Sequence, residues 1–150
     1  MGSNYKGSKK EIEALNSYIK LIRSADAIRS KINLELSKYR LTESQFGVLD
    51  ALLHLGPMKH RELGEKILKS GGNITMVINN LERRELVQRK RGEKDKREFI
   101  IHLTHKGKNT IKETLPVIVK KIKKQFEILN KDEQKELQFL CKVIGLQIRK

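Results

Sequence analysis

The sequence predicts a mainly α-helical fold with one small β-hairpin and long helices on either side of it. Apolar residues recur at helical spacing along most of the chain, and they change to alternation only between Leu86 and Leu103. Two prolines and ten glycines punctuate the 150 residues, so long helices meet few interruptions. A chain of this length suits a single domain, which we place at residues 1–150.

The composition favours an anionic partner. Lysine and arginine number 33 against 18 acidic residues, which gives a formal net charge of +15. Nucleic acid is the first partner such an excess indicates, and an anionic membrane the second. The single cysteine, Cys141, excludes an intrachain disulfide and favours a reducing compartment. Since no apolar stretch approaches the roughly 18 residues of a membrane span, we expect a cytoplasmic protein.

Two helices are predicted at the start of the chain. The first covers about residues 11–38, where apolar residues keep helical spacing. Thr42 has the chemistry of an N-cap for the second helix, and Gln45 stands three residues later, where it can complete a capping box. The second helix should end at Gly56-Pro57.

A short helix and a longer one follow. The segment MKHRELGEKIL predicts a short helix whose Leu63 and Ile67 face inward. Ser70-Gly71-Gly72 is typical of a turn, and a further helix should run from there to about Arg84. The core side of that helix is predicted at Ile74, Val77, Ile78 and Leu81.

The alternating segment predicts a β-hairpin. After Val87 the chain alternates up to a turn at Gly92, and the return strand begins at Phe99 with Ile101 and Leu103 on the same face. The decapeptide KRGEKDKREF, residues 90–99, then forms the hairpin tip, and Phe99 anchors its return strand. The alternative is an ordinary solvated loop.

Two further helices close the chain. Thr104 should cap a long helix, which Pro116 kinks without ending because the apolar stripe continues in phase. Asn130 with Glu133 should start the last helix. The helices at about 11–38 and 105–148 carry apolar stripes without an obvious partner, so we expect a second copy of the chain to cover them in a homodimer. The three helices and hairpin at about 42–104 predict a winged helix-turn-helix.

The outer face of the helix after the predicted turn suits nucleic acid. Opposite the core side lie short polar side chains, and the first two turns are almost free of acids, so the helix can enter a major groove about 12 Å wide. Asparagine can read adenine bidentately, and the methyl groups of Thr75 and Met76 can lie against thymine methyls. The alternative is a surface helix that faces water. The residues of this face are Gly72, Thr75, Met76, Asn79 and Arg83, with Asn73 and Asn80 at its margin.

The hairpin favours the nucleic-acid interpretation. Bases outnumber acids over residues 83–97, and an arginine at a hairpin tip can enter a minor groove, where the potential is most negative. Asp95 would fix the direction of the Arg97 guanidinium through a charge-assisted pair. The candidate DNA-binding residues are therefore Ser70, Gly72, Asn73, Thr75, Met76, Asn79, Asn80, Arg83, Arg91, Lys94, Asp95 and Arg97.

The hairpin and the helices before it resemble the MarR family of regulators. The motif Asp95-x-Arg97-x5-Leu103-Thr104-x-x-Gly107 is similar to the wing signature of that family, and LTESQFGVLDALLHLGP, ELGEKI and NITMVINNLERRELV resemble the preceding helices. The resemblance covers about residues 12–148. It implies a homodimer built from the first and last helices, with each recognition helix in the major groove of a palindromic operator. It further implies that Arg97, supported by Asp95, enters the flanking minor groove, and that a small phenolic or lipophilic anion releases the repressor.

This chain departs from the pattern of the family at two residues. Glu85 stands where many relatives have glycine, just after the recognition helix. Cys141 lies on the apolar stripe of the last helix rather than in the first helix, so we expect a buried structural thiol and no oxidant sensor.

No catalytic residue, metal site or cofactor is expected. The four histidines lack zinc-site spacing and no triad pattern accompanies them, although Lys59 or His60 could contact a phosphate. The expected function is a sequence-specific DNA-binding repressor. The alternative is a non-specific nucleic-acid-binding architectural protein. A membrane partner is disfavoured because the lysines at 120–124 lie on a helix whose apolar side is committed to packing.

Overall fold

The computed structural model describes residues 2–67 and 71–149, and in these ranges it is mainly helical with one three-stranded sheet. The sheet is antiparallel, in the order β1-β3-β2. The chain forms two compact units, Met1–Ile118 and Val119–Lys150. The helices are α1 (Lys9–Ser37), α2 (Glu43–Leu55), α3 (His60–Lys66), α4 (Gly71–Arg83), α5 (His105–Phe126) and α6 (Lys131–Arg149), and the strands are β1 (Met58–Lys59), β2 (Val87–Arg91) and β3 (Phe99–Leu103).

Capping boxes start the first two helices. The Thr42 hydroxyl accepts from the Gln45 N–H and the Gln45 side chain accepts from the Thr42 N–H, both at 3.1 Å, which confirms the predicted start of α2. A second box between Ser8 and Glu11 begins α1 two residues before the predicted position. At the end of α2, Gly56 takes a φ of 81°, a backbone conformation that glycine adopts without strain.

The strand β1 was not predicted. Met58 and Lys59 were expected at the start of a helix, but they pair with Ile101 and Ile100 of β3. Met58 is buried, and pairing with β3 satisfies backbone groups that would otherwise be left at the edge of the sheet. The helical part of that segment therefore begins only at His60.

The ends of α1 and α4 share one geometry and are tied together. Arg40 and Glu85 take φ values of 56° and 60°, and each is followed by a leucine whose N–H closes back onto the helix. Leu86, for example, donates to the Leu81 carbonyl at 2.9 Å. The Arg84 guanidinium donates to the Arg40 carbonyl, so the end of α4 is attached to the turn between α1 and α2.

A single apolar core holds the first unit together. It contains side chains from every element of that unit, and the predicted inner face of α4 belongs to it. Burial of these groups is the main favourable term in folding, at about 25 cal/mol per Å² of apolar surface. The buried apolar residues are Leu36, Leu41, Val48, Leu49, Leu52, Met58, Leu63, Ile74, Ile78, Leu81, Leu86, Val87, Ile101, Ile111 and Ile118.

The second unit contains the end of α5 and the whole of α6. Asn130 and Glu133 form the predicted capping box at distances of 2.8 and 2.9 Å. Pro116 lies inside α5, which continues to Phe126 as predicted. Cys141 is exposed, so the expectation of a buried thiol was wrong. Helical spacing placed Cys141 correctly on an apolar stripe, but in this chain the stripe is not covered: Phe139, Leu140, Val143, Ile144, Leu146 and Ile148 are all exposed.

Among the described residues, no helix is long and apolar enough to span a bilayer.

Candidate nucleic-acid interface

The helix α4 has the two faces that its sequence predicts. Ile74, Ile78 and Leu81 are at most 1% exposed, whereas Met76 on the other side is 65% exposed. No acid lies in the first turn. The outer face therefore offers short polar and methyl-bearing side chains without carboxylates near the helix start. Asn73, Thr75, Met76 and Arg83 are exposed, and Asn79 and Asn80 are half-buried.

The start of α4 differs from the prediction. Gly71 and Gly72 were expected in a turn, but both have helical backbone, and α4 begins at Gly71. Glycine is unfavourable in a helix interior, yet the first turn tolerates it because the N–H groups there have no intrahelical partner in any case. Ser70, the third member of the predicted turn, lies outside the described residues. The first N–H groups of an α-helix have no intrahelical partner, and a helix start of this kind suits an anion.

Hydrogen bonds tie the polar face of α4 to its surroundings. The imidazole Nε2 of His60 lies 2.9 Å from the Thr75 hydroxyl, which links α3 to α4. Burial, followed by the charge of Arg89, lowers the pKa of His60 below its ordinary value of 6.5, which favours the neutral ring. Asn80 accepts a hydrogen bond from Arg83 at 3.0 Å. The side chain of Asn79 accepts one from Arg89 on β2.

The tip of the hairpin presents Arg97. Its side chain is 93% exposed, and Asp95 Oδ1 accepts from its backbone N–H at 3.0 Å and from its Nε at 3.3 Å. The predicted pair between Asp95 and Arg97 is therefore confirmed. The carboxylate holds the base of the guanidinium group, and the two Nη groups remain available to an outside acceptor.

Arg91 and Phe99 stabilise the hairpin from within. The Arg91 guanidinium carbon lies 5.4 Å from the centre of the Phe99 ring, and Nη1 donates to the Lys96 carbonyl at 2.8 Å. Phe99 begins β3 as predicted, but it is 43% exposed and stacks against a cation instead of anchoring in the core. Lys94 is exposed at the same tip.

The base of the hairpin is fixed through backbone atoms. The Thr104 hydroxyl donates to the Glu85 carbonyl at 2.6 Å and accepts from the Gly107 N–H at 2.9 Å, so one side chain caps α5 and closes the turn after α4. A Cβ atom on Gly107 would lie 1.9 Å from the Leu86 carbonyl oxygen. Thr104 and Gly107 of the motif therefore hold the start of α5 against the turn after α4.

A salt bridge joins β1 to the hairpin. Lys59 Nζ lies 3.0 Å from Glu98 Oε2, and the hydrogen bond to Glu98, followed by the charge of Glu98, raises the pKa of Lys59. Lys59 therefore has a partner within the chain, and its contact with a phosphate stays a prediction.

Two contacts of this surface were not foreseen: the one between Arg89 and Asn79 and the one between His60 and Thr75. Both join residues at least 10 positions apart on different elements. Arg89 could have been suspected because a cation at an inward position of an alternating strand needs a polar partner. Within the described ranges no three side chains of metal-binding type come together.

Comparisons with known proteins place this geometry in a family. A family model for transcriptional regulators of the SarA/Rot type matches residues 30–114, which contain the whole winged helix-turn-helix. The HTH-type transcriptional regulator YkoM of Bacillus subtilis is 31% identical over 140 residues, which are 93% of this chain and 91% of YkoM. AbsC from Streptomyces coelicolor, a MarR family transcriptional regulator, has the same fold at a TM-score of 0.87. The chain belongs to the MarR family.

The fold match extends over almost the whole length of this MarR-family chain. AbsC is 20% identical, and the alignment covers 97% of this chain and 99% of AbsC. BpsR from Bordetella bronchiseptica, whose DNA binding is regulated by 6-hydroxynicotinic acid, has a TM-score of 0.82 at 21% identity, with 95% of this chain and 98% of BpsR covered. The protein is a DNA-binding transcriptional regulator of the MarR/SarA type, and its relatives and fold are those of regulators, not enzymes.

The family motif also explains the departure at Glu85. The resemblance implied a glycine at this position, and here Glu85 takes a φ of 60°, a conformation that glycine adopts without strain. The helix end is preserved, since α4 still closes with the Leu86 N–H on the Leu81 carbonyl. The substitution therefore leaves the path of the chain unchanged and adds a local conformational cost.

Proposed function

We propose that this MarR-family regulator is a sequence-specific repressor that binds a palindromic operator as a homodimer and is released by a small-molecule effector. In this proposal residues 1–150 act as one MarR-type domain. The winged helix-turn-helix occupies about 42–104, and the helices at about 11–38 and 105–148 form the dimer. Because its ligand is chromosomal DNA, the protein would act in the cytoplasm.

The observation that carries the proposal is the position of Arg97. Its guanidinium is 93% exposed, yet it is held by the Asp95 carboxylate at 3.3 Å. A fully solvated arginine without a task gains little from such a pair, because exposed ion pairs contribute about 0–1 kcal/mol. A fixed direction has value when the arginine must enter a narrow minor groove, where negative potential is concentrated. Lys94, exposed at the same tip, would contact the flanking phosphates.

The outer face of α4 supplies the contacts in the major groove. Asn73, Thr75, Met76 and Arg83 are exposed there, and the first turn contains no acid. Asparagine and arginine can bond base edges, whereas methyl groups can contact thymine. The N–H groups at Gly72 and at the neighbouring start of α4 would bond a phosphate. Asp95 and Arg91 serve the wing indirectly, the first by holding Arg97 and the second by stiffening the tip.

The homodimer is supported by apolar side chains that each unit exposes. The unit Val119–Lys150 exposes Phe139, Leu140 and Ile144 on one helix, α6. In the other unit α1 exposes Tyr18 and Ile22. Apolar patches of this kind on helices are typical of protein–protein interfaces. Two copies would present two recognition helices, and a two-fold axis in the protein requires an inverted repeat in the DNA.

A solved structure with the same fold supports the proposal of a small-molecule effector. BpsR, which shares this fold, has its DNA binding regulated by 6-hydroxynicotinic acid, a small aromatic anion. The net charge of +15 on our chain would favour an anionic ligand as well. We therefore propose a small phenolic or lipophilic anion as the effector class.

The same net charge favours a second candidate function, the non-specific coating of nucleic acid. Lysine and arginine contacts to phosphates bind any sequence, and their affinity falls steeply with salt. The two candidates differ in one respect: only a sequence-specific regulator discriminates between an operator and random duplex at physiological ionic strength.

The test selects bound fragments from the source genome and then compares variants on a selected site and on random duplex. We expect an inverted repeat to be enriched at about 0.15 M salt, where the Debye length is about 8 Å. Arg97→Ala should weaken binding to that site by about 1–3 kcal/mol more than binding to random duplex.

Lys96→Ala is the matched control for Arg97→Ala, because Lys96 is an exposed base next to Arg97. It should weaken both duplexes equally. Uniform recovery of all genomic fragments, together with equal losses for Arg97→Ala on both duplexes, would establish the non-specific candidate instead.

A further inference from the structure

We propose that Arg89 is a positioning residue that turns the Asn79 amide so that Asn79 reads a keto base, guanine or thymine, in preference to adenine. The inference rests on the proposed function, because it requires Asn79 to face a base in the major groove. It goes further by naming the base edge that this position selects and the residue that makes the selection.

Arg89 connects the wing to the recognition helix. It lies on β2 with 27% of its side chain exposed, and its Nη2 donates to Asn79 Oδ1. Its other terminal nitrogen, Nη1, lies 3.8 Å from Glu82 Oε1. Asn79 and Glu82 are three residues apart and therefore on the same side of α4. The guanidinium therefore bonds the Asn79 amide and lies beside the Glu82 carboxylate on the same side of α4.

This arrangement fixes which end of the Asn79 amide faces outward. An unrestrained asparagine can turn its oxygen and its nitrogen to either side at little cost. Here a turn would place the NH₂ group of Asn79 against the NH₂ group of Arg89, donor against donor, and would remove the acceptor of Arg89 Nη2. The amide oxygen is therefore held at the wing strand, and Nδ2 with its two donors is directed away from that strand.

The fixed direction has a consequence for base reading. The bidentate asparagine–adenine pair needs the amide oxygen to accept from N6 while Nδ2 donates to N7. With the oxygen turned toward Arg89, Asn79 directs its two Nδ2 donors, and not its acceptor, toward the groove. In the major groove, guanine presents the two acceptors N7 and O6 and thymine presents O4. Adenine presents the acceptor N7 beside its N6 donor group, which opposes an incoming NH₂ group, and cytosine presents only a donor. The bidentate adenine contact expected from the residue type alone is thus replaced by a preference for keto bases.

The test is a base-preference profile of the full-length protein, obtained by selection from a library in which each operator position is randomised. Asn79→Ala identifies the position that Asn79 reads, because discrimination is lost there. In the wild-type protein we expect guanine or thymine at this position to be favoured over adenine by about 10-fold or more. In Arg89→Met the amide can turn, and adenine should come within about 3-fold of the best base.

Lys90→Met is the matched control. Lys90 follows Arg89 on β2 and is exposed. Replacing it by methionine removes one positive charge, as Arg89→Met does. It should weaken binding to all sequences equally and leave the profile unchanged. Arg89→Lys retains the charge with a shorter reach, and it should restore part of the keto preference.

Three results separate the outcomes. Adenine as the favoured base in the wild-type protein, or the same profile in Arg89→Met as in the wild type, overturns the role of Arg89 while the proposed function stands. A wild-type protein without base preference at any position overturns the proposed function itself. If Arg89→Met fails to fold, Glu82→Met removes the carboxylate beside Arg89 Nη1, and the less restrained guanidinium should raise the share of adenine at the same position.

Discussion

The base and the tip of the wing are held in different ways. At the base, backbone atoms of Glu85, Leu86 and Gly107 approach each other closely, and the hydroxyl of Thr104 completes the contact. At the tip, the hairpin is stabilised by its own exposed side chains, with Asp95 beside Arg97. The base should therefore control stability, and the tip should control binding.

The largest effect is expected at the base, from Gly107→Ala. The new methyl group would lie 1.9 Å from the Leu86 carbonyl oxygen, so either α5 or the turn after α4 must move. We expect the free energy of unfolding to fall by about 3 kcal/mol, as for other overpacked sites. Urea unfolding followed by circular dichroism measures it.

Gly145→Ala is the control, since a Cβ there has no neighbour within 4 Å. In a helix this change should stabilise by about 0.5–1 kcal/mol. Equal losses for both variants would show that the contact with Leu86 does not determine the result.

A smaller effect, on binding alone, is expected at the tip from Asp95→Ala. Simple electrostatics predicts tighter binding to DNA when an acid is removed. If Asp95 acts by directing Arg97, the variant should instead bind its operator more weakly, by about 1 kcal/mol, with an unchanged unfolding curve. Titration of labelled operator at fixed salt distinguishes the two.

Glu93→Ala provides the comparison, because Glu93 is an exposed acid of the same hairpin tip. It should strengthen binding slightly. Tighter binding in both variants would mean that the pair between Asp95 and Arg97 has no part in recognition.

The smallest effect is expected from Glu85→Gly, again at the base. Glu85 has a φ of 60°, which costs a residue with a Cβ about 1 kcal/mol. Glycine removes this cost, but its larger conformational entropy in the unfolded chain offsets part of the gain in stability. We therefore expect a net stabilisation of about 0.5 kcal/mol. Thermal unfolding separates the effect of conformation from that of charge when it is measured for three variants, Glu85→Gly, Glu85→Asn and Glu85→Ala. If Glu85→Ala gains as much stability as Glu85→Gly, the effect comes from the lost carboxylate.

Local chemistry allowed much of the fold to be predicted from sequence. Thr42 with Gln45 and Asn130 with Glu133 carry their capping partners three residues away, so the helix starts could be read directly. The inner face of α4 followed from helical spacing, and Asp95 could be matched with Arg97 because only one residue separates them. The DNA contacts themselves stay predictions.

What could not be predicted depends on contacts between distant segments. The strand β1 has two residues, too few for alternation to show, and it exists because β3 offers an open edge. The bond between Arg89 and Asn79 forms only when the hairpin folds back on α4. The exposure of Cys141 could not be predicted for the same reason. Helical spacing shows which residues share an apolar stripe, but it does not show whether another segment covers that stripe.

The sheet order places β2 at an outer edge, with β3 between it and β1. An exposed edge strand invites pairing with another chain and is a common route to aggregation. Here three consecutive bases, Arg89, Lys90 and Arg91, occupy that strand. Their mutual repulsion would oppose the approach of a second β2 edge, so these charges also protect the hairpin against aggregation. Attempts to reduce non-specific DNA affinity by neutralising this strand would therefore remove the protection of its edge.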